Sequence, residues 1–137
     1  MNDEQMIWEA YSNTLNNKDK PRIIMINPSE VHFTEKDQER GKIDSIKKSY
    51  GDNYNDIEWE EQPKPIVSID EDNDMYVEDG HHRITAFMEL KYPSIPVIIV
   101  PKKQFNILKN KYGLQKASKM IADELGDPYT TGQDSYQ

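Results

Sequence analysis

The sequence predicts an α+β domain, because short β-branched segments alternate with segments whose apolar residues recur at helical spacing. Residues 22–26 form an apolar, β-branched run that is typical of a buried strand. Residues 65–70 and 75–78 have the composition of two further strands, and the turn-forming residues between them predict a hairpin. Residues 36–49 carry one apolar stripe at helical spacing. The alternation therefore predicts a short mixed sheet flanked by helices.

The remaining elements extend this domain at both ends. We expect a helix at 3–15, an extended piece at 31–33, a helix at 83–91, a strand at 95–100 and helical segments at 104–111 and 114–125. Thr34 is placed to act as the N-cap of the helix over 36–49. Residues 1–125 are therefore interpreted as a single domain with additional N- and C-terminal helices. The range 126–137 lacks aliphatic residues, and we expect it to be a flexible tail.

Composition limits the class of protein. A chain of 137 residues with 35% hydrophobic residues fits one domain, and the absence of cysteine excludes disulfides, thiolate nucleophiles and Cys-containing zinc sites. The N-terminus lacks the features of a signal peptide, and no apolar run approaches the roughly 18 residues that a membrane span needs. We therefore expect a cytoplasmic protein with no membrane partner. The formal net charge of −8 makes a nucleic-acid partner an unfavoured expectation.

The motif Asp79-Gly80-His81-His82-Arg83 is the strongest functional signal in the chain. It lies between an apolar strand and a helical segment, which is the layout of an anion site. A glycine permits a sharp turn and a close backbone approach to a ligand, while the first turn of the helix presents N–H groups and partial positive charge. The pattern therefore predicts that a phosphate group binds here.

These segments together resemble the ParB/sulfiredoxin superfamily over about residues 22–100. The resemblance is carried by the first strand and helix, the hairpin that starts at Pro65-Ile66-Val67, the motif Asp79-Gly80-His81-His82-Arg83-Ile84-Thr85-Ala86 and the closing strand Ile95-Pro96-Val97-Ile98. It implies a compact α+β domain that binds a nucleotide, with the Gly-x-x-Arg turn around the phosphates. The superfamily includes partition-type CTPases, ATP-dependent sulfiredoxins and free-serine kinases.

The motif separates these branches. Sulfiredoxins resemble the chain around the turn but need a cysteine where His81 stands, so their sulfur chemistry is not expected. Partition proteins have Gly-Glu-Arg-Arg at the turn and continue into a helix-turn-helix domain, for which residues 101–137 leave too little chain. The free-serine-kinase branch has Asp-Gly-His-x-Arg and a catalytic glutamate that falls on Glu35 in this sequence, with Glu30 as the alternative. This branch is the closest match.

The resemblance implies a role for each motif residue. Glu35, His81 and Asp79 are the candidate catalytic residues, and Asp79 is also the candidate ligand of a magnesium ion or a helix cap. The candidate phosphate-binding residues are Gly80, His81, His82, Arg83, Thr85 and Lys42. The alternative interpretations are structural: Arg83 would pair with Asp79 or Glu78, one of the two histidines would pack or cap, and Lys42 would be a solvated surface residue.

The expected function is binding of a nucleotide (ATP, ADP or CTP) with Mg²⁺ and hydrolysis or transfer of its terminal phosphate. This favours an enzyme of the phosphohydrolase or kinase-like phosphotransferase type, with water or a small hydroxyl compound as acceptor. Two alternatives stay open. One is a ParB-like nuclease or nucleic-acid-processing protein, and the other is a non-catalytic nucleotide-sensing or protein-interaction module that engages a protein partner through the terminal helices.

Overall fold

A mixed five-stranded sheet with α-helices on both faces makes up the computed structural model, which describes residues 2–35 and 37–129. The strands are β1 (Arg22–Ile26), β2 (His32–Phe33), β3 (Ile66–Ile69), β4 (Met75–Asp79) and β5 (Ile95–Pro101). The α-helices in these residues are α1 (Asp3–Ser12), α2 (Arg40–Tyr50), α3 (His81–Glu89), α4 (Lys102–Tyr112) and α5 (Leu114–Glu124). The α+β class is confirmed, and the arrangement is consistent with the small domain expected from the sequence.

The strand order is β1-β5-β3-β4-β2. The predicted hairpin is present, since β3 and β4 pair in antiparallel fashion, as do β1 and β5, whereas β5 and β3 are parallel and so are β4 and β2. The register between β3 and β4 shifts near the motif, because Ile66 lies opposite Asp79 while Val67 lies opposite Val77. Such an irregularity bends a strand locally and re-aims its side chains. It therefore falls where the chain leaves β4 and enters the motif.

Successive residues of the central strands serve different hydrophobic cores, because side chains along a strand point alternately to the two faces. Val67 and Val97 pack with apolar residues of α2 and α3 on one face. Ile66 and Ile98 pack with residues of α1, α4 and α5 on the other. The sheet is therefore buried on both faces, and the motif lies at the start of α3, on the face covered by α2 and α3.

Two predicted helix starts differ from the structure. Helix α2, predicted at 36–49, begins at Arg40. Thr34 is not its N-cap, because the Thr34 hydroxyl donates to the Val77 carbonyl at 2.7 Å. Helix α3 begins at His81 rather than at residue 83, because Gly80 adopts a left-handed conformation and serves as the N-cap. The second difference places His81 and His82 in the first turn of α3.

The range 126–137, expected to be a flexible tail, is described as far as residue 129. Asp127 and Tyr129 are buried there, and both make hydrogen bonds to the domain. Residues 130–137 lie outside the described residues. Among the described helices, none combines the length and the apolar character that crossing a membrane requires.

The Glu124 carboxylate at the end of α5 forms hydrogen bonds with side chains of α1. This group accepts hydrogen bonds from Trp8 Nε1 at 2.8 Å and from Ser12 Oγ at 2.6 Å. Burial raises the pKa of Glu124 above its ordinary value, although the two hydrogen bonds act in the opposite direction. The folded protein therefore holds a proton on Glu124 at a pH where the unfolded chain has released it.

We predict that protonation of Glu124 makes a contribution to stability that is present below the ordinary glutamate pKa and is lost as the pH rises through the raised pKa of the folded state. The free energy of unfolding of the wild type, relative to Glu124→Gln, should therefore increase as the pH is lowered from about 7 to about 5. Urea unfolding at several pH values measures this difference.

Glu89→Gln is the control, and its stability difference from the wild type should change with pH in the opposite direction. The reason is that the Arg40 and Lys47 side chains lower the pKa of Glu89. Its carboxylate stabilises the fold above the ordinary pKa, and the wild type should lose this advantage over Glu89→Gln as the pH falls. If the two variants gave the same slope, the assignment for Glu124 would be wrong.

Candidate functional site

The turn between β4 and α3 depends on a contact that only glycine permits. Gly80 has a φ of +102°, and a Cβ added to it would lie 2.9 Å from Pro65 Cβ and 3.0 Å from Pro65 Cα. Helix α3 starts directly after Gly80, with its first helical hydrogen bond from the Ile84 N–H to the Gly80 carbonyl at 3.0 Å. The prediction of a sharp glycine turn before a helix N-terminus is therefore confirmed.

His81 and Glu35 meet at this turn although they are far apart in the sequence. His81 is buried, and its Nδ1 lies 3.7 Å from Glu35 Oε2, while the Glu35 side chain keeps 53% of its surface exposed. His81 Nε2 lies 2.9 Å from Thr34 Oγ1. The single hydroxyl hydrogen of Thr34 is donated to the Val77 carbonyl, so His81 Nε2 must be the donor in the contact with Thr34. Nδ1, the nitrogen that faces Glu35, therefore carries the lone pair of the neutral ring.

His82 and Thr85 hold the segment that precedes α2. His82 Nε2 accepts a hydrogen bond from the Glu39 backbone N–H at 3.0 Å, so this nitrogen carries no proton in the structure. Thr85 Oγ1 donates to Gln38 Oε1 at 2.7 Å. The two histidines therefore have different surroundings, as the sequence predicts, and His82 tethers the segment rather than facing Glu35.

Lys42 lies in the first turns of α2, close to this segment. Its Nζ is 3.3 Å from Glu39 Oε1, and its side chain is partly exposed. The structure thus places Lys42 beside the segment that His82 tethers. An exposed ion pair at this spacing contributes little to stability.

Arg83 is buried, with 1% of its surface exposed. Its Nη1 donates to the Tyr50 hydroxyl at 2.6 Å, and Tyr50 in turn donates to Gln62 Oε1 at 3.0 Å. The guanidinium carbon also lies 6.0 Å from the centre of the Tyr50 ring. Arg83 is therefore held between α3 and α2 through Tyr50, a partner that the sequence reasoning did not identify.

Lys64 and Asp127 form a buried ion pair close to the turn. Lys64 Nζ lies 3.1 Å from Asp127 Oδ1, the Lys64 backbone N–H donates to Oδ2 at 3.4 Å, and the two side chains are 7% and 0% exposed. Burial raises the pKa of Asp127, while Lys64 and, to a smaller extent, Arg83 act in the opposite direction. The charge of Arg83 therefore also reaches the Asp127 carboxylate.

Asp79 is in contact with the same C-terminal segment. The Tyr129 hydroxyl donates to Asp79 Oδ2 at 2.9 Å, so Asp79 does not cap α3, whose N-cap is Gly80. Sequence reasoning missed Lys64, Asp127 and Tyr129. The one available signal was Lys64, a charged residue between two prolines directly before a buried strand.

A cavity of about 490 Å³ lies on the outer side of Tyr50. It is lined by Ser49, Tyr50, Asn53, Asp56, Ile57, Glu58, Glu61 and Gln62. Three of these residues are acidic, and the neighbouring Glu58 carboxyl raises the pKa of Glu61. This lining suits a hydroxyl or cationic group better than a phosphate, and its Tyr50 is also the residue that binds Arg83.

The described residues contain no group of three or more His, Asp or Glu side chains that is arranged to hold a metal ion. A magnesium ion commonly uses one or two carboxylates together with substrate phosphates and water. The magnesium ion expected at Asp79 together with a nucleotide therefore stays a prediction.

No family model matches the chain, and no curated protein matches its sequence. Among solved structures, the chain is similar to SbnI with a C-terminal truncation, from Staphylococcus aureus. The TM-score is 0.47 at 16% sequence identity, and the match covers 66% of this chain and 41% of the SbnI chain. The matched part is thus less than half of that structure, and it assigns no function.

We predict that Gly80→Ala destabilises the fold by about 2–4 kcal/mol, because an alanine adds both left-handed backbone strain and the overlap with Pro65. Gly126→Ala is the matched control, since Gly126 has a φ of +69° but open space around its missing Cβ. It should lose only about 1–2 kcal/mol. Chemical denaturation measures both, and equal losses would show that the contact with Pro65 is not the limiting feature.

Proposed function

We propose that this protein binds a nucleotide at the Gly80 turn and hydrolyses its terminal phosphate or transfers it to a small hydroxyl compound. The observation that carries the proposal is the meeting of Glu35 and His81 beside the start of α3, at a 3.7 Å separation. A carboxylate and an imidazole beside a helix N-terminus provide a proton-transfer pair next to a phosphate-binding element. The resemblance to the free-serine-kinase branch points to the same two residues.

Phosphate binding is assigned to the turn and the first turn of α3. The backbone N–H groups at this end and the helix dipole favour an anion. Arg83 lies in the first turn of α3, and its buried charge adds to the positive potential of the site. His82 and Thr85 contribute indirectly, since they fix the segment at 37–39 that borders the site.

Proton transfer is assigned to Glu35 and His81. His81 Nε2 is engaged with Thr34, so the exchangeable position on the ring is Nδ1, on the side of Glu35. Glu35 is half-exposed and would accept the proton of the acceptor hydroxyl, and His81 Nδ1 faces the same carboxylate at 3.7 Å. Phosphoryl transfer needs mainly positioning and charge neutralisation, and a magnesium ion bound with the nucleotide would supply part of that neutralisation.

A nucleotide-sensing module without turnover is the second candidate function. It is favoured by one observation, that His82, Arg83 and Thr85 each hold a neighbouring segment in place. A phosphate that engaged these side chains would loosen the segments and could thereby signal occupancy. In the described residues, no comparable observation supports the nuclease alternative.

The first experiment is a thermal-shift and phosphate-release screen against ATP, ADP, CTP and GTP, each with and without magnesium. A rise in melting temperature with one nucleotide, together with phosphate release or transfer, is the expected result. Stabilisation without turnover, also after small hydroxyl acceptors are added, would favour the sensing module. The absence of any shift would contradict nucleotide binding.

We predict that Glu35→Gln leaves nucleotide affinity unchanged but lowers turnover by at least about 100-fold, because it removes the proton acceptor and keeps the side-chain shape. Glu30→Gln is the matched control, since Glu30 is an exposed glutamate in the same loop region and was the alternative candidate. It should retain wild-type turnover. Equal losses of affinity and turnover in Glu35→Gln would make Glu35 a structural residue.

We predict that Arg83→Ala weakens nucleotide binding by at least about tenfold, because it removes a charged group whose hydrogen bonds are worth about 1.5–3 kcal/mol. Isothermal titration measures the affinity. Tyr50→Phe is the control, because it removes the Arg83 hydrogen bond within the fold and keeps the guanidinium. If both variants weakened binding equally, the effect of Arg83 would be one of fold stability.

A further inference from the structure

The ion pair of Lys64 and Asp127 has the form of a receptor for a bidentate anion. One carboxylate oxygen of Asp127 contacts the Lys64 ammonium, and the other accepts from the backbone N–H of the same residue. The Lys64 ammonium has a further contact with the Gln62 carbonyl at 3.1 Å. An ammonium group and an adjacent N–H are also the donors that bind phosphate oxygens. The carboxylate therefore occupies a position where a phosphate group would find the same two donors.

This ion pair lies next to the turn. Lys64 directly precedes Pro65, whose ring is in contact with Gly80. The segment that carries Asp127 continues to Tyr129, and the Tyr129 hydroxyl is bonded to Asp79 on the other side of the turn. Arg83 adds positive charge that acts on Asp127. The segment 127–129 therefore lies across the turn that binds phosphate in the proposed function.

We propose that Lys64 is an anion-binding residue of the phosphate site and that the Asp127 carboxylate is an internal anion which a phosphate group displaces. The inference rests on the proposed function for where the phosphate binds. The ability of Lys64 and its backbone N–H to bind an anion does not depend on that function. A buried ion pair adds little stability compared with apolar residues of the same size, whereas a buried lysine without an anion is costly. The site is therefore selective for an anion, and departure of Asp127 requires another anion to enter.

Displacement of Asp127 breaks identifiable hydrogen bonds. The Asp127 carboxylate accepts from Lys64 Nζ at 3.1 Å, and the Asp127 N–H donates to the Ala122 carbonyl at 2.9 Å. A phosphate at Lys64 would release Asp127 from these partners, while Tyr129 stays packed against Ile66 and Ile98. Binding at the site would thus be coupled to movement of Asp127.

The test uses pyrophosphate as the probe, titrated into the purified chain by calorimetry. Asp127→Asn keeps the shape of the side chain but removes its charge, so it should bind pyrophosphate at least about tenfold more tightly than the wild type. Asp123→Asn is the matched control, because Asp123 is an exposed aspartate whose partner is Lys119 on the same helix. It should bind as the wild type does. An unchanged affinity in Asp127→Asn would overturn the inference.

Two further measurements keep the result interpretable. Adding Lys64→Met to Asp127→Asn should abolish the gain in affinity, and a gain that persisted would show that Lys64 is not the binding residue. In the wild type, saturating pyrophosphate should increase the hydrogen exchange of the Asp127 amide, which is bonded to the Ala122 carbonyl in the free protein. Unchanged exchange would overturn the displacement, and this readout needs no variant to fold.

The outcome can be separated from that of the proposed function. Tighter pyrophosphate binding in Asp127→Asn without any nucleotide binding would support the anion site and contradict the nucleotide function. Nucleotide binding and turnover with equal affinities in the wild type and Asp127→Asn would support the function and overturn the inference.

Discussion

The close contact between Gly80 and Pro65 is the constraint on which the rest of the site depends. It requires both a left-handed backbone and the absence of a Cβ, and it brings the end of β4 against the residue that precedes β3. Helix α3 can then begin at once, with His81 and Arg83 in its first turn. The same contact places Lys64, the neighbour of Pro65, beside the turn. One steric requirement thus positions side chains of α3 and of the segment before β3.

Burial of charge distinguishes this region from an ordinary turn. Arg83, Lys64 and Asp127 are all removed from solvent in a chain whose formal net charge is −8. Burying such groups is unfavourable unless they are paired and hydrogen-bonded, and here Tyr50, the Lys64 backbone and the Gln62 carbonyl provide the bonds. The cost is consistent with a functional role, since perturbed and buried charges cluster at binding and catalytic sites.

The site joins segments that differ in how firmly they are held. The turn and α3 are anchored in the hydrophobic core, and so is Tyr129, which packs with Ile66 and Ile98. The segment at 37–39 is attached through hydrogen bonds to His82 and Thr85, and Asp127 is attached through its contacts with Lys64. A ligand that competes for these polar contacts would move residues 37–39 and Asp127 and leave the core intact. The architecture therefore suits a site in which binding moves residues 37–39 and Asp127 while the turn and α3 stay fixed.

The sequence by itself determined the α+β class, the hairpin and the glycine turn, because periodicity, turn formers and a motif between strand and helix are local signals. It also indicated Glu35 and His81, which the fold brings together. It did not indicate Tyr50 as the partner of Arg83, or Asp127 and Tyr129 at the turn. Those contacts join residues far apart in the chain, and only the packing of α2 and of the segment after α5 against the sheet decides them.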